Sequence, residues 1–259
     1  MSFKAFRFRA IEPMSFCLLT RLFCCGVFLC WSFSAQASVV IDATRIIYSA
    51  KEREVSLRLS NQGQQAALVQ TWIDDGNPDA KPDEVDVPFV VMPPMVRINP
   101  DKGQSLRIAY SSSSSVPKDR ESVFWLNVLD VPPLPSAQLS NHMQLALRTR
   151  IKLFFRPVDL PGSATESAET LHWSLLKSAN KTVLQVRNDG AFHVSFNSVE
   201  VKLKDGSGLK VESKMIAPKT SAEFVVEKAL SASDVKGSVV YEWINDYGSN
   251  VRNEAKLHF

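Results

Sequence analysis

The chain has 259 residues, of which 45% are hydrophobic and 22% are charged, and its formal net charge is +3. Four of the 30 lysines and arginines and one of the 27 aspartates and glutamates lie in the first 37 residues, which leaves 26 of each sign in the rest. A net-neutral chain after residue 37 excludes an electrostatic basis for binding nucleic acid or an anionic membrane surface.

The N-terminal 37 residues have the three parts of a secretory signal peptide: basic residues, a short apolar run at 22–31 and a small-x-small site ending at Ala37. We expect cleavage after Ala37, with Met14 as an alternative start. The apolar run is too short for a membrane span of about 20 residues. All cysteines lie in this segment, so the mature chain has no thiol for a disulfide, a metal or catalysis: Cys17, Cys24, Cys25 and Cys30.

From Ser38 onward, short alternating runs separated by turn residues predict an all-β chain without helices. About seven strands are expected in the first half, as in an immunoglobulin-like sandwich. They are a broken first strand at 39–41 and 45–48, then 55–60, 67–74, 89–92, 95–98, 105–110 and 123–130.

The run at 141–157 predicts a strand far longer than the usual 5–6 residues. Such a strand either completes the core of its own domain or offers its backbone and an apolar row to another molecule. A period of two puts Met143, Leu145, Leu147, Thr149, Ile151, Leu153 and Phe155 on one face and Gln144, Ala146, Arg148, Arg150 and Lys152 on the other.

Two prolines and a glycine at 157–162 predict a domain boundary. We therefore expect one domain at 38–157, a linker at 158–163 and a second domain at 164–259. The strand pattern resumes after the linker, so the fold class predicted for the mature chain is all-β, with two immunoglobulin-like sandwiches and a cleft between them. The predicted strands of the second domain are 173–177, 182–187, 194–204, 209–213, 222–226, 237–244 and 254–259.

Six short motifs, in order along both predicted domains, resemble the periplasmic pilus-assembly chaperones of the chaperone–usher pathway. The resemblance implies a boomerang of two immunoglobulin-like domains that binds pilus subunits in the periplasm and delivers them to an outer-membrane usher. The motifs are TRIIY at 44–48, LVQTWID at 68–74, PPMVR at 93–97, DRESVFWLNV at 119–128, IKLFFRP at 151–157 and INDYG at 244–248.

The resemblance implies that the long strand completes the unfinished sandwich of a subunit, with Met143, Leu145 and Leu147 entering the subunit groove. It further implies that Arg45 and Lys152 bind the carboxylate at the subunit's C-terminus. Strict alternation puts Lys152 on the face opposite Met143. The strand must therefore twist or bulge between them, or the cleft must meet it from its other side.

The same resemblance assigns Glu121, Arg156 and Asp246 to an ionic network between the two domains. The loop at 134–140 is short, as in the subgroup linked to rod-like or adhesive pili. An exposed apolar strand is also an aggregation hazard, so we expect the free protein to hide it by self-association.

An enzyme is not indicated, and neither a cofactor nor a metal is expected. No metal-ligand spacing and no phosphate-binding glycine loop is found in the sequence. The four histidines, His142, His172, His193 and His258, are interpreted as ordinary surface or half-buried residues. The alternative to a chaperone is a structural pilus subunit or adhesin. A subunit would have one incomplete domain and usually a cysteine pair, unlike this chain.

Overall fold

The structure, a computed structural model, describes residues 38–111, 116–133, 144–178, 181–226, 230 and 233–259. The signal peptide, the serine run at 112–115, the loop at 134–140, Met143 and His142 lie outside these residues. Within them the chain forms sixteen strands and one short helix.

The first domain is a sandwich of two sheets. Its strands are β1 (Val39–Ile41), β2 (Arg45–Ser49), β3 (Glu54–Asn61), β4 (Ala67–Asp74), β5 (Phe89–Met92), β6 (Met95–Ile98), β7 (Gly103–Tyr110), β8 (Ser122–Val131) and β9 (Leu147–Arg156). One sheet has the order β1-β3-β7-β5 and the other β2-β9-β8-β4-β6. Alternate residues of both sheets form one core, in which Leu59, Leu106 and Leu153 are fully buried.

The second domain has the strands β10 (His172–Ser178), β11 (Lys181–Asn188), β12 (Phe196–Leu203), β13 (Gly208–Val211), β14 (Thr220–Val226), β15 (Val235–Ile244) and β16 (Asn250–His258). Their order is β13-β12-β15-β16-β10-β11-β14, and a short parallel pairing of β10 with β16 joins two antiparallel groups. The two groups enclose a core around Trp173, whose ring centroid lies 5.3 Å from that of Tyr241. The prediction of an all-β chain with two sandwich domains is confirmed.

Two details of the predicted secondary structure are wrong. The long strand begins at Leu147, because β8 supplies its pairing partner only as far as Asp130, just before Pro132 and Pro133. A helix that the alternation did not predict, α1 (Ala164–Glu169), follows the linker. The Ser163 side chain accepts a hydrogen bond from the Glu166 backbone N–H at 3.0 Å and caps this helix.

Candidate functional site

Strand β9 has backbone partners on both sides only over its second half. Residues 152–155 lie between β2 and β8, whereas residues 147–151 pair with β8 alone in the described part of the chain. The opposite edge opens because the chain changes sheets between Ile41, in β1, and Arg45, the first residue of β2. The backbone groups on the open edge of 147–151 are therefore available to pair with another strand.

The apolar face of β9 passes from the domain core into solvent along a single row. Ile151 and Leu153 are buried, Leu147 is 54% exposed, and Leu145, two residues before the strand begins, is 75% exposed. Large aliphatic side chains exposed at successive alternate positions are unusual on a surface and indicate a binding edge. Met143, the third residue predicted for this row, lies outside the described residues.

The predicted anchor residues Arg45 and Lys152 lie directly opposite each other in the parallel pairing of β2 with β9. The second domain holds both of them: Arg45 Nη1 donates to the Ile244 carbonyl oxygen at 2.7 Å, and Lys152 Nζ donates to Ser195 Oγ at 3.1 Å. Neither cation forms an ion pair with a carboxylate within the described residues. Two adjacent cations without a direct ion pair are suited to bind an anion.

Burial lowers the pKa of both anchor cations. Burial, with the charge of Arg45 as the second cause, lowers the pKa of Lys152 to about 8. Burial also lowers the pKa of Arg45, although the charges of Asp246 and Glu121 oppose this effect. A carboxylate bound between them would oppose both effects, because it stabilises the charged form of each side chain.

The pairing of β8 with β9 has no register shift, so Lys152 lies on the face opposite Leu147. Of the two alternatives given above, the second holds: the second domain meets β9 from the side opposite the apolar row. The strand therefore presents two different surfaces at once: the exposed leucines on one face and the anchor cation on the other.

The network residues Glu121, Arg156 and Asp246 join the two domains. Arg156 donates from Nε to Glu121 at 2.7 Å and from both terminal nitrogens to Asp246 at 2.7 and 2.6 Å. Burial by itself lowers the pKa of Arg156, but the hydrogen bonds to Asp246 and Glu121 outweigh this effect, and the pKa of Arg156 is raised. The Glu121 backbone N–H also donates across the interface to the Ala191 carbonyl oxygen.

His193 and Ser195 are further interface residues that sequence reasoning missed. His193, interpreted above as an ordinary surface or half-buried histidine, has a side chain that is 6% exposed, and its backbone N–H and Nδ1 lie 2.8 and 2.9 Å from Glu121 Oε2. Its ring packs on Phe154, whose face Arg45 also covers. Both residues lie in the second domain and become recognisable only when that domain is docked on β9.

Family models match nearly all of the chain after residue 37. Residues 38–161 match the PapD N-terminal domain of pili and flagellar-assembly chaperones, and residues 166–255 match the C-terminal domain of the pili assembly chaperone PapD. The chain belongs to this family of pilus assembly chaperones. The family assignment favours a chaperone over the alternative of a structural subunit or adhesin.

The chaperone is similar in sequence to its relatives over most of its length. It is 40% identical to the probable fimbrial chaperone YadV of Escherichia coli, over 92% of this chain and 97% of the relative. It is 43% identical to the chaperone protein FimB/FhaD of Bordetella pertussis, over 86% of this chain and 90% of the relative. The solved Salmonella enterica SafB chaperone, in complex with the SafA pilin, is similar with a TM-score of 0.72 and 25% identity, covering 86% and 98% of the two chains.

The described residues contain no helix that is long and apolar enough to cross a membrane. They also contain no group of three or more histidine, cysteine, aspartate or glutamate side chains arranged to hold a metal ion.

Proposed function

We propose that the chaperone binds a pilus subunit by pairing the open edge of β9 with the last strand of the subunit. A strand added beside residues 147–151 would continue the line of β2, which lies parallel to β9. If the subunit strand also runs parallel to β9, its C-terminus arrives at Arg45 and Lys152. The observation that carries the proposal is this open edge, which ends at two cations that form no direct ion pair in the described chain.

In this complex, Leu145 and Leu147, with Met143 before them, fill the groove of the incomplete subunit. Each leucine contributes about 1.5–3 kcal/mol if it becomes fully buried. The terminal carboxylate binds between Arg45 and Lys152 and sets the register of the added strand. Register matters because a slip of one residue turns every side chain of that strand to the other face.

The network of Glu121, Arg156 and Asp246 holds the second domain against β9, so that Ser195 and the Ile244 carbonyl position the anchor cations. We place the two domains at 38–157 and 164–259, joined by a linker at 158–163. The signal peptide ending at Ala37 directs the chaperone to the periplasm, where it passes subunits to the outer-membrane usher. Its work is binding rather than catalysis.

The free chaperone hides its open edge by self-association. Leu145 and Leu147 are exposed beside unpaired backbone groups, which is an arrangement that favours pairing between copies. Analytical ultracentrifugation over a range of concentrations is expected to show reversible dimers that Leu147→Asp dissociates. A strict monomer at the highest concentration contradicts this part of the proposal.

The test of the proposal is co-expression in the periplasm with the subunit encoded beside it. The wild-type chaperone is expected to protect the subunit from degradation and to co-purify with it, whereas the double variant Arg45→Ala, Lys152→Ala is not. The matched control, Lys210→Ala with Arg252→Ala, removes two exposed cations of the second domain and is expected to behave as the wild type. Equal protection by both double variants would refute the anchor.

A further inference from the structure

The open half of β9 is held on its polar face by side chains that reach across two neighbouring strands. Arg148 and Arg150 lie on the face opposite Leu147 and extend over β8 towards β4. The guanidinium carbon of Arg148 lies 4.8 Å from the ring centroid of Trp72, and that of Arg150 lies 4.8 Å from the ring centroid of Trp125. A guanidinium over an indole face is a favourable cation–π contact.

Both arginines converge on Asp74, the last residue of β4, which is fully buried. Asp74 Oδ1 accepts a hydrogen bond from Arg150 Nη2 at 2.6 Å, and Oδ2 lies 3.6 Å from Arg148 Nη2. Asn127 of β8 completes the group, since its Nδ2 donates to Asp74 at 2.6 Å and its Oδ1 accepts from Arg148 Nε at 2.8 Å. We call these four residues the Asp74 clamp.

The clamp acts on the part of β9 that has the least backbone support. Residues 147–151 have one ladder partner in the described chain, while residues 152–155 have two. Arg148 and Arg150 are two positions apart, so one carboxylate can hold both only while this segment keeps its extended, alternating geometry. Fraying of the open half, or a slip of one residue, would remove both guanidinium groups from a buried carboxylate, which is strongly unfavourable.

We propose that Asp74 is a positioning residue for subunit binding, and that the Asp74 clamp holds the open half of β9 extended before a subunit arrives. The inference rests on the proposed function. Ordering a flexible segment opposes association, so an edge that is already ordered binds more tightly. Asp74 acts through the arginines, because its own side chain is completely enclosed and offers no surface to a subunit.

The test compares Asp74→Asn with the wild type, using a synthetic peptide with the sequence of the C-terminal strand of the co-encoded subunit. An asparagine presents N–H donors where Asp74 accepts from arginine and asparagine donors, so the clamp opens. The dissociation constant of the peptide is expected to rise about tenfold. Amide hydrogen exchange at 147–151 is expected to accelerate by a similar factor, with 153–156 unchanged. Asp42→Asn is the control, since the contacts of the Asp42 side chain are both exposed: a pair with Arg58 at 3.9 Å and a hydrogen bond from Ser60 Oγ at 3.4 Å.

The outcomes separate the clamp from the proposed function. A folded Asp74→Asn protein that binds the peptide with unchanged affinity overturns the clamp, whether or not exchange accelerates. If that variant does not fold, Arg148→Gln and Arg150→Gln carry the same test, because both side chains are only half-buried. The anchor variant Arg45→Ala, Lys152→Ala is measured beside them. If it too leaves peptide affinity unchanged, the proposed function itself fails.

Discussion

Glu121→Gln is the substitution that most directly tests the connection between the two domains. The Glu121 side chain is 1% exposed and receives hydrogen bonds from both domains. Its Oε1 accepts from Arg156, which belongs to β9, and its Oε2 accepts from the backbone N–H of His193. Glutamine has almost the same shape but only one acceptor oxygen, so the change removes charge and one acceptor without opening a cavity.

The expected loss follows from these contacts. Whichever way the amide is turned, its N–H donors face either the guanidinium of Arg156 or the N–H of His193, and one buried donor loses its partner. A hydrogen bond to a charged group contributes about 1.5–3 kcal/mol, and an unsatisfied buried donor adds a penalty of similar size. Arg156 keeps its two bonds to Asp246, so we expect the free energy of unfolding to fall by about 3 kcal/mol.

The assay is equilibrium denaturation monitored by calorimetry, in which loosely coupled domains unfold in separate transitions. Glu121→Gln is expected to lower the midpoint of the first unfolding transition and to separate the transitions of the two domains. Asp119→Asn is the matched control: Asp119 also reaches across to the second domain, at 2.8 Å from Lys219, but this pair is solvent-exposed. Exposed pairs contribute little to stability. Equal effects of the two substitutions, or a Glu121→Gln protein as stable as the wild type, would refute the reasoning.

Three further predictions concern the anchor, the open edge and the turn between β15 and β16. Free Lys152 loses its proton above about pH 8, whereas a bound carboxylate keeps it charged, so subunit affinity should fall by up to about tenfold per pH unit above 8. Lys152→Arg should remove this dependence, as fluorescence titrations between pH 7 and 10 would reveal. Leu147→Ser should change the free energy of unfolding by less than about 0.5 kcal/mol and weaken subunit binding about tenfold, measured by calorimetry. Gly248→Ala should lower the thermal midpoint more than Gly206→Ala, because both glycines have positive φ but only a methyl at 248 meets Thr44.

Most of the strands could be predicted from alternation, because each domain buries one face of each sheet. Strand β4 begins and ends where the pattern predicts, at 67–74. The start of β9 could not be predicted from its own residues, because it depends on where β8 ends. Helix α1 spans only six residues and has no apolar period, although Ser163 and Glu166 have the spacing of a capping box.

The candidate site also has residues that the sequence could indicate and residues that it could not. Arg45 and Lys152 are far apart in the sequence, and only the parallel pairing of β2 with β9 brings them together. Their selection came from the family motifs, and their role in binding stays a prediction. The Asp74 clamp could not be predicted, because its contacts depend on the registers of three strands. His193 was missed because its partner Glu121 lies in the other domain.

The most direct test of the central claim compares two forms of the subunit's C-terminal peptide, one ending in a free carboxylate and one in an amide. Charge-assisted hydrogen bonds contribute about 1.5–3 kcal/mol, so the wild-type chaperone should bind the free acid at least about tenfold more tightly. The variant Arg45→Ala, Lys152→Ala should bind both peptides equally. If the wild type binds the acid and the amide with equal affinity, Arg45 and Lys152 do not anchor the subunit, and the account of the site is wrong.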